Sequence, residues 1–80
     1  MMKNKTMAKL NRVFREVFFD DGIEITEDTT AKDVDGWDSL THIVLIAEVE
    51  QAFGVKFSMK EVVGMKNVGE MARLIEKKLG

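Results

Sequence analysis

Asp35-Gly36-Trp37-Asp38-Ser39-Leu40, followed by an apolar stretch that runs to Phe53, is the segment that decides the fold of this chain. Asp38 is a favourable N-cap, because its carboxylate can accept the free backbone N–H groups of a first helical turn. Ser39 then lies where those N–H groups and the positive end of the helix dipole point outward. That position suits an anion such as a phosphodiester. The segment therefore predicts one hydroxyl group at the beginning of a helix.

The helix predicted over residues 39–53 has two apolar sides, since successive residues turn by about 100°. One side carries Leu45, Ile46, Val49 and Phe53, and the opposite side carries Leu40, Ile43, Val44 and Ala47. The first side can pack against the first and fourth helices. We expect the second side to be at least partly exposed beside Ser39 and to bind a partner, because exposed apolar stripes on small proteins usually do so. The alternative is a helix that is buried on all sides.

Three further helices are predicted from spacing and capping residues. Apolar residues spaced three and four apart indicate a first helix over residues 4–19, which Asp20-Asp21-Gly22 ends with Gly22 in the left-handed conformation. Ser58-Met59-Lys60-Glu61 forms a capping box for a short third helix that runs to about Gly64 and buries Met59 and Val62 or Val63. Asn67-Val68-Gly69-Glu70 is a weaker box that opens a fourth helix to Leu79. The expected fold is all-α, a four-helix bundle forming a single domain over residues 1–80.

The connection over residues 20–38 is long for a compact domain, and loops of this length often have a function. We expect its apolar residues to pack against the helices and its acidic residues to face water; the apolar ones are Ile23, Ile25, Val34 and Trp37. A calcium-binding loop of the EF-hand type would need Gly36 at its sixth position. Ala31 then occupies the first ligand position and His42 the twelfth, so the match fails and no metal site is predicted.

Composition and charge exclude several classes of function. The chain has no cysteine, which removes disulfides, thiolate metal sites and thiol nucleophiles. Residues 17–50 contain ten acidic side chains and one basic side chain, between two basic ends. This distribution argues against nucleic-acid binding and favours docking to basic patches on partner proteins, although a merely solvated acidic loop is the alternative. Without a long apolar run or a secretory signal, we expect a cytoplasmic monomer that does not insert into membranes.

Most of the chain, from about Met7 to Leu79, resembles the acyl carrier proteins. The resemblance rests on Asp38-Ser39-Leu40, on the acidic loop before it and on the Phe53-Gly54-Val55-Lys56-Phe57 exit from the second helix. It implies that a phosphopantetheinyl transferase moves a 4'-phosphopantetheine arm from coenzyme A to Ser39, beside Asp38. It also implies that the thiol of the arm holds acyl groups as thioesters for acyl-loading and acyl-transferring enzymes. The protein would then be a carrier and not an enzyme.

The resemblance also implies two groups of binding residues. The expected partner-binding residues lie on and before the second helix: Asp35, Leu40, Ile43, Val44, Ala47 and Glu50. The expected lining of an acyl pocket is Leu45, Ile46, Val49, Phe57, Val62 and Met65. Because Phe57 is bulky, we expect weak sequestration or a short acyl group.

The pathway and two rival functions stay open from the sequence. Thr41 and Val44 stand where fatty-acid carriers often have acidic residues, which points to a specialised lipid, polyketide-like or peptide-like pathway. One rival is a small acidic interaction module that has no prosthetic arm and binds a partner through Leu40 and Val44. The other is a hydrolase with Ser39 as nucleophile and His42 as base.

Overall fold

The computed structural model describes residues 4–80. They form four α-helices, α1 (Asn4–Phe18), α2 (Ser39–Phe53), α3 (Met59–Gly64) and α4 (Val68–Leu79), and this part of the chain contains no β-strand. The prediction of an all-α fold with a short third helix and a long first loop is confirmed.

The core lies where α1 packs against α2 and α4. Each of these helices turns one apolar face inward, and burial of those faces is the main contribution to the stability of the fold. The largest fully buried side chains are Leu10, Phe14, Leu45, Val49, Val68, Met71 and Ile75. The predicted inward side of α2 is confirmed, because Leu45, Ile46 and Val49 are all buried.

The end of α1 differs from the prediction. Phe19, and not Gly22, adopts the left-handed conformation, with φ of 52°. The apolar stripe of α1 finishes at Phe18, so the chain must leave the helix there and Gly22 comes too late to make the turn. The Phe19 side chain is 95% exposed. A bulky residue in this conformation is strained. The Phe19 side chain is exposed, so the conformation does not also disturb the packing of the core.

Side chains of α1 hold the long loop in place. The Asn11 amide donates to Met7 O at 3.1 Å and accepts the Ile25 N–H at 2.8 Å. Arg15, which the apolar stripe leaves on the polar side of α1, donates from Nε to Ile23 O at 2.7 Å. As predicted, Ile25 and Val34 are buried, while Ile23 and Trp37 are partly buried. The loop is therefore tied to the core by polar and apolar contacts together.

The loop also contacts the beginning of α4. Val68 N–H donates to Thr29 O and Gly69 N–H donates to Glu27 O, both at 2.9 Å. The loop carbonyls thus satisfy donors that a helix N-terminus would otherwise leave free. A Cβ atom on Gly69 would lie 2.9 Å from Glu27 O, so this close approach requires glycine.

Of the two predicted capping boxes, the one at α3 forms completely and the one at α4 forms only in part. At α3, Ser58 Oγ accepts the Glu61 N–H at 3.2 Å and a Glu61 carboxylate oxygen accepts the Ser58 N–H at 2.9 Å, so the box is confirmed. At α4, Asn67 Oδ1 accepts the Glu70 N–H at 2.9 Å, but the reciprocal bond is not formed among residues 4–80.

The predicted burial of α3 is wrong for Met59, which is 76% exposed. Of the two alternatives Val62 and Val63, Val62 is the one that packs against the core, while Val63 is 76% exposed, and no residue of this helix is fully buried. Only Val62 turns toward the core, together with Phe57 and Met65 from the segments on either side. A helix of six residues has fewer than two turns, so it can offer only a narrow stripe to the core.

Candidate functional site

The first turn of α2 is closed by reciprocal hydrogen bonds between Asp38 and Thr41. Asp38 Oδ1 accepts the backbone N–H groups of Leu40 and Thr41 at 3.0 and 2.9 Å. Thr41 Oγ1 accepts the Asp38 N–H at 2.8 Å and donates to Gly36 O at 2.6 Å. Asp38 is thus the N-cap that the sequence predicts. Sequence reasoning missed the part played by Thr41, although the spacing Asp-x-x-Thr could have indicated it.

The same hydrogen bonds act on the ionisation of Asp38. The backbone N–H of Thr41 and then its hydroxyl lower the pKa of this carboxyl from its ordinary value of 3.8. These bonds favour the charged form, which also interacts well with the positive end of the α2 dipole. Asp38 is therefore anionic at neutral pH, and two helix N–H groups occupy its Oδ1 atom.

Ser39 is the first residue of α2, and its side chain is exposed. Within residues 4–80, the Ser39 hydroxyl makes no hydrogen bond. It lies at the N-terminal end of a fifteen-residue helix, where the dipole favours negative charge. An exposed hydroxyl at the beginning of the helix, as the sequence predicts, is thus present.

Trp37 and His42 form one wall beside Ser39. The indole Nε1–H donates to His42 Nδ1 at 3.1 Å, and the two rings stack with centroids 5.9 Å apart. Because Nδ1 accepts this bond, the ring proton lies on Nε2, which donates to Val62 O at 3.1 Å. Trp37 is fixed from behind by Phe14, whose ring meets it edge-on at 5.1 Å. His42 therefore links the loop, α2 and α3.

This arrangement disfavours a Ser39–His42 catalytic pair. Both ring nitrogens of His42 are engaged, one by Trp37 and the other by a carbonyl of α3. A general base for Ser39 needs a nitrogen lone pair within hydrogen-bond reach of the hydroxyl. The hydrogen bonds of His42 instead give it a structural role.

A cleft of about 570 Å³ opens between α2 and α3, directly beside Ser39. Its lining is mostly apolar, with Lys66 as the basic side chain at its edge; the α2 and α3 residues that line it are Ser39, His42, Ile43, Met59, Val62 and Val63. Two residues predicted for an acyl pocket, Val62 and Met65, line this cleft.

The other four residues predicted for the acyl pocket lie elsewhere. Leu45, Ile46 and Val49 belong to the packed core between the helices, and Phe57 packs against that core. The space beside Ser39 is thus open on the α3 side, while the centre of the bundle is filled by side chains.

The residues predicted to bind partners are nearly all exposed. Leu40, Ile43 and Val44 are 75%, 63% and 51% exposed, so the alternative of an α2 buried on all sides is wrong. Asp35 and Ala47 are also exposed. Glu50 is half-buried, and one of its carboxylate oxygens accepts the Phe57 N–H at 2.8 Å. Glu50 therefore holds the segment that follows α2 in place.

Comparisons with known proteins agree with this geometry. Residues 8–75 match the family described as the phosphopantetheine attachment site. The chain belongs to the acyl carrier protein family. This carrier is 31% identical over 78 residues to the acyl carrier protein of Thermotoga maritima, covering 98% of this chain and 96% of that protein. It also matches the solution NMR structure of the holo acyl carrier protein from Geobacter metallireducens with a TM-score of 0.86 and 46% identity, covering 92% of this chain and 85% of the other.

Family membership establishes the general role of the protein. It is a carrier with a phosphopantetheine attachment domain and a covalently attached phosphopantetheine, and it is not an enzyme. Its partners include a phosphopantetheinyl transferase and acyl-handling enzymes. No helix within residues 4–80 is long and apolar enough to cross a membrane. The described part of the chain contains no group of three acidic or histidine side chains that could hold a metal ion.

Proposed function

We propose that Ser39 carries the 4'-phosphopantetheine arm, and that the carrier delivers acyl groups held on this arm to its partner enzymes. The observation that supports this most strongly is the exposed Ser39 hydroxyl, which has no hydrogen bond within residues 4–80 and lies at the N-terminal end of α2. The chain has only one other serine, Ser58, and its hydroxyl caps α3.

The residues around Ser39 fit such an arm. Attachment would form a P–O bond to Ser39 Oγ, break a P–O bond of the coenzyme A diphosphate with release of adenosine 3',5'-bisphosphate, and remove the hydroxyl proton. The resulting phosphodiester is an anion beside the positive end of α2. Asp38 and Thr41 hold that end of the helix through their own bonds, and the adjacent cleft offers apolar walls to the arm. The arm supplies the thiol on which acyl groups travel, since the chain has no cysteine.

The pathway that we propose is specialised, and is lipid, polyketide-like or peptide-like. Two positions early in α2 support this, because Thr41 is used in the helix cap and Val44 is an exposed apolar residue. Neither offers a charge to a basic partner surface. We further propose that the acyl group is short or only weakly held, since the core residues Leu45 and Val49 leave the centre of the bundle filled. A cytoplasmic, monomeric state remains a prediction from the sequence.

The test is modification followed by intact mass measurement. The purified apo protein is incubated with coenzyme A and a broad-specificity phosphopantetheinyl transferase. We expect the parent to gain the mass of one arm and Ser39→Ala to gain nothing. Ser58→Asn is the matched control, because it removes the other serine hydroxyl while asparagine can still cap α3. It should be modified like the parent.

Two results would contradict the proposal. Modification of Ser39→Ala would place the arm on another residue. A parent protein that gains no mass, while a known carrier in the same tube does, would instead support an interaction module without an arm.

A further inference from the structure

Two hydrogen bonds of His42 fix which of its ring nitrogens carries the proton. The indole N–H of Trp37 can only donate and meets Nδ1 at 3.1 Å, whereas Val62 O can only accept and meets Nε2 at 3.1 Å. Only a neutral imidazole with its proton on Nε2 satisfies both partners. Histidine is the side chain whose charge ordinarily changes between about pH 5 and 8. This pair of bonds is therefore sensitive to protonation.

Protonation of the ring would act differently on the two bonds. A proton on Nδ1 turns this acceptor into a donor, so two N–H groups would face each other where Trp37 now binds. The bond from Nε2 to Val62 O would persist and become stronger, because a charged donor makes a better hydrogen bond. His42 would thus remain bonded to α3 and lose its bond to Trp37.

The indole offers no compensating attraction to a protonated ring in this position. The planes of the two rings are 27° apart, but Nδ1 lies on the Trp37 Nε1–H, which points outward in the plane of the indole. The imidazole nitrogen therefore meets the edge of the indole, which carries partial positive charge. Cations are attracted to the negative face of an aromatic ring, and not to this edge.

The charged groups nearest to the ring have both signs. Among the described residues, the other charged side chains that line the cleft with His42 are Asp38, in the cap of α2, and Lys66, in the segment after α3. Oδ1 of Asp38 is already bonded to two N–H groups of the first turn. His42 also lies near the N-terminal end of α2, where the helix dipole disfavours a positive charge.

The neighbouring helices bring no charge to the contact between the two rings. On α3, Glu61 is paired with Lys78 of α4 at 3.0 Å and does not line the cleft. The part of α1 that reaches Trp37 is aromatic, through Phe14 and Phe18, whose ring centroids lie 5.1 and 6.4 Å from it. The surroundings thus provide no second anion that would hold a protonated ring in place.

Trp37 connects this pair of rings to the candidate site. It lines the same cleft as Ser39 and comes two residues before it in the chain. We propose that His42 is a positioning residue for the Ser39 site and acts through Trp37: the neutral ring holds the indole in the cleft wall, and protonation of the ring releases it. The effect on attachment of the arm rests on the proposed function of Ser39.

Acrylamide quenching of tryptophan emission tests the release directly, because Trp37 is the only tryptophan. The apo parent, His42→Asn and His42→Ala are compared at about pH 7.5 and about pH 5. Asparagine keeps an acceptor near the place of Nδ1 and does not titrate. We expect the quenching constant of the parent to rise on acidification towards the value of His42→Ala. The constants of the two variants should stay low for His42→Asn and high for His42→Ala at both pH values.

Modification of the same carriers tests the positioning role. Each is incubated with saturating coenzyme A and the broad-specificity transferase at both pH values, and kcat/KM is measured for the carrier. The pH dependence of the transferase itself cancels in the ratio of the parent to His42→Asn. We expect this ratio to fall about three- to tenfold on acidification, since small displacements beside a reacting group have effects of this order or larger.

Circular dichroism melting curves at both pH values show that each carrier is folded, and the comparison of the parent with His42→Asn suffices if His42→Ala is not. A parent whose quenching constant is the same at both pH values, or changes as it does in His42→Asn, would overturn the inference. So would a constant ratio of kcat/KM, because His42 would then not position the site. A parent that gains no arm at either pH would contradict the function proposed for Ser39, and the quenching constants alone would then decide whether Trp37 is released.

Discussion

Asp38 and Thr41 hold the first turn of α2, and Ser39 lies beside them with a hydroxyl that neither residue uses. The residues that prepare the site are thus different from the residue that is expected to react. Serine itself is a common helix cap. Here an aspartate takes that role and leaves the serine hydroxyl available.

The lowered pKa of Asp38 predicts how its contribution to stability depends on pH. A carboxyl whose pKa is lower in the folded state stabilises the fold above its unfolded pKa, and this contribution disappears as the pH falls through the folded pKa. We therefore expect Asp38→Asn to be less stable than the parent at pH 7. The difference should shrink as the pH falls below the ordinary value of 3.8.

Urea denaturation of both proteins between neutral pH and about pH 3 checks this prediction. The pKa of Glu61 is also lowered, first by the Ser58 backbone N–H and then by Lys78. Because Glu61 is present in both proteins, its effect cancels in the comparison. A difference that stays constant across this pH range would show that the Asp38 charge contributes nothing.

His42 gives a second prediction at the scale of single residues. His42→Ala removes the acceptor of the Trp37 indole and the donor to Val62 O. We expect it to lower the free energy of unfolding by about 1–3 kcal/mol, because two partly buried groups lose their partners. The emission of Trp37, the only tryptophan, should shift to longer wavelength as its ring becomes more hydrated.

Gln51→Ala is the matched control for His42→Ala, since Gln51 is exposed on the same helix. Its stability should stay within about 0.5 kcal/mol of the parent, as is usual for surface substitutions. If His42→Ala left both stability and emission unchanged, the bridge between the loop and α3 would have no energetic importance.

At the scale of elements, the sequence predicts those features that residues close together in the chain determine. The bounds of the four helices, the Asp38 cap and the Ser58–Glu61 box follow from patterns within a few residues. The local pattern did not predict that Phe19 takes the left-handed conformation after α1, because a glycine three residues later suggested a different position. The helix instead ends where its buried apolar face ends, at Phe18. The bond from His42 to Val62 O joins residues far apart in the chain, and no local pattern indicates it.

Substitution of Gly69 tests the contact between the loop and α4, and the same substitution at Gly64 is the comparison. Gly69→Ala would place a Cβ atom 2.9 Å from Glu27 O and 3.2 Å from Glu27 Cβ, so backbone must move. We expect a clear loss of stability although alanine favours helices. Gly64→Ala in α3 meets no atom within 4 Å and should raise the free energy of unfolding by about 0.5–1 kcal/mol. Thermal and urea unfolding measure both, and a stabilised Gly69→Ala would mean that the loop does not contact α4 this closely.

At the scale of the whole molecule, one side of α2 is buried in the core, and the other side is exposed and is predicted to bind partners. Leu45 is fully buried and Leu40 is 75% exposed on the same helix. Leu45→Ala should cost about 2–5 kcal/mol, the usual effect of removing a large buried side chain. That is a large part of the total stability of about 5–15 kcal/mol that such domains have.

Leu40→Ala is the natural comparison, because the same atoms are removed from the exposed side. It should change the free energy of unfolding by less than about 0.5 kcal/mol. Urea denaturation at neutral pH compares the two variants directly. Similar losses for both would mean that the exposed side of α2 is covered in solution, for example by a second copy of the chain.

Because α3 packs only lightly against the core, its sequence can vary more freely than the sequences of the other helices. This helix has its own start signal at Ser58, none of its residues is fully buried, and α4 has a separate start signal at Asn67. The exposed positions of this helix, such as Met59 and Val63, can therefore be substituted with little penalty to folding, while Val62 keeps its contact with the core. Changes at these exposed positions of α3 could then redirect the protein to another enzyme, in evolution or by engineering, while the rest of the bundle stays as it is.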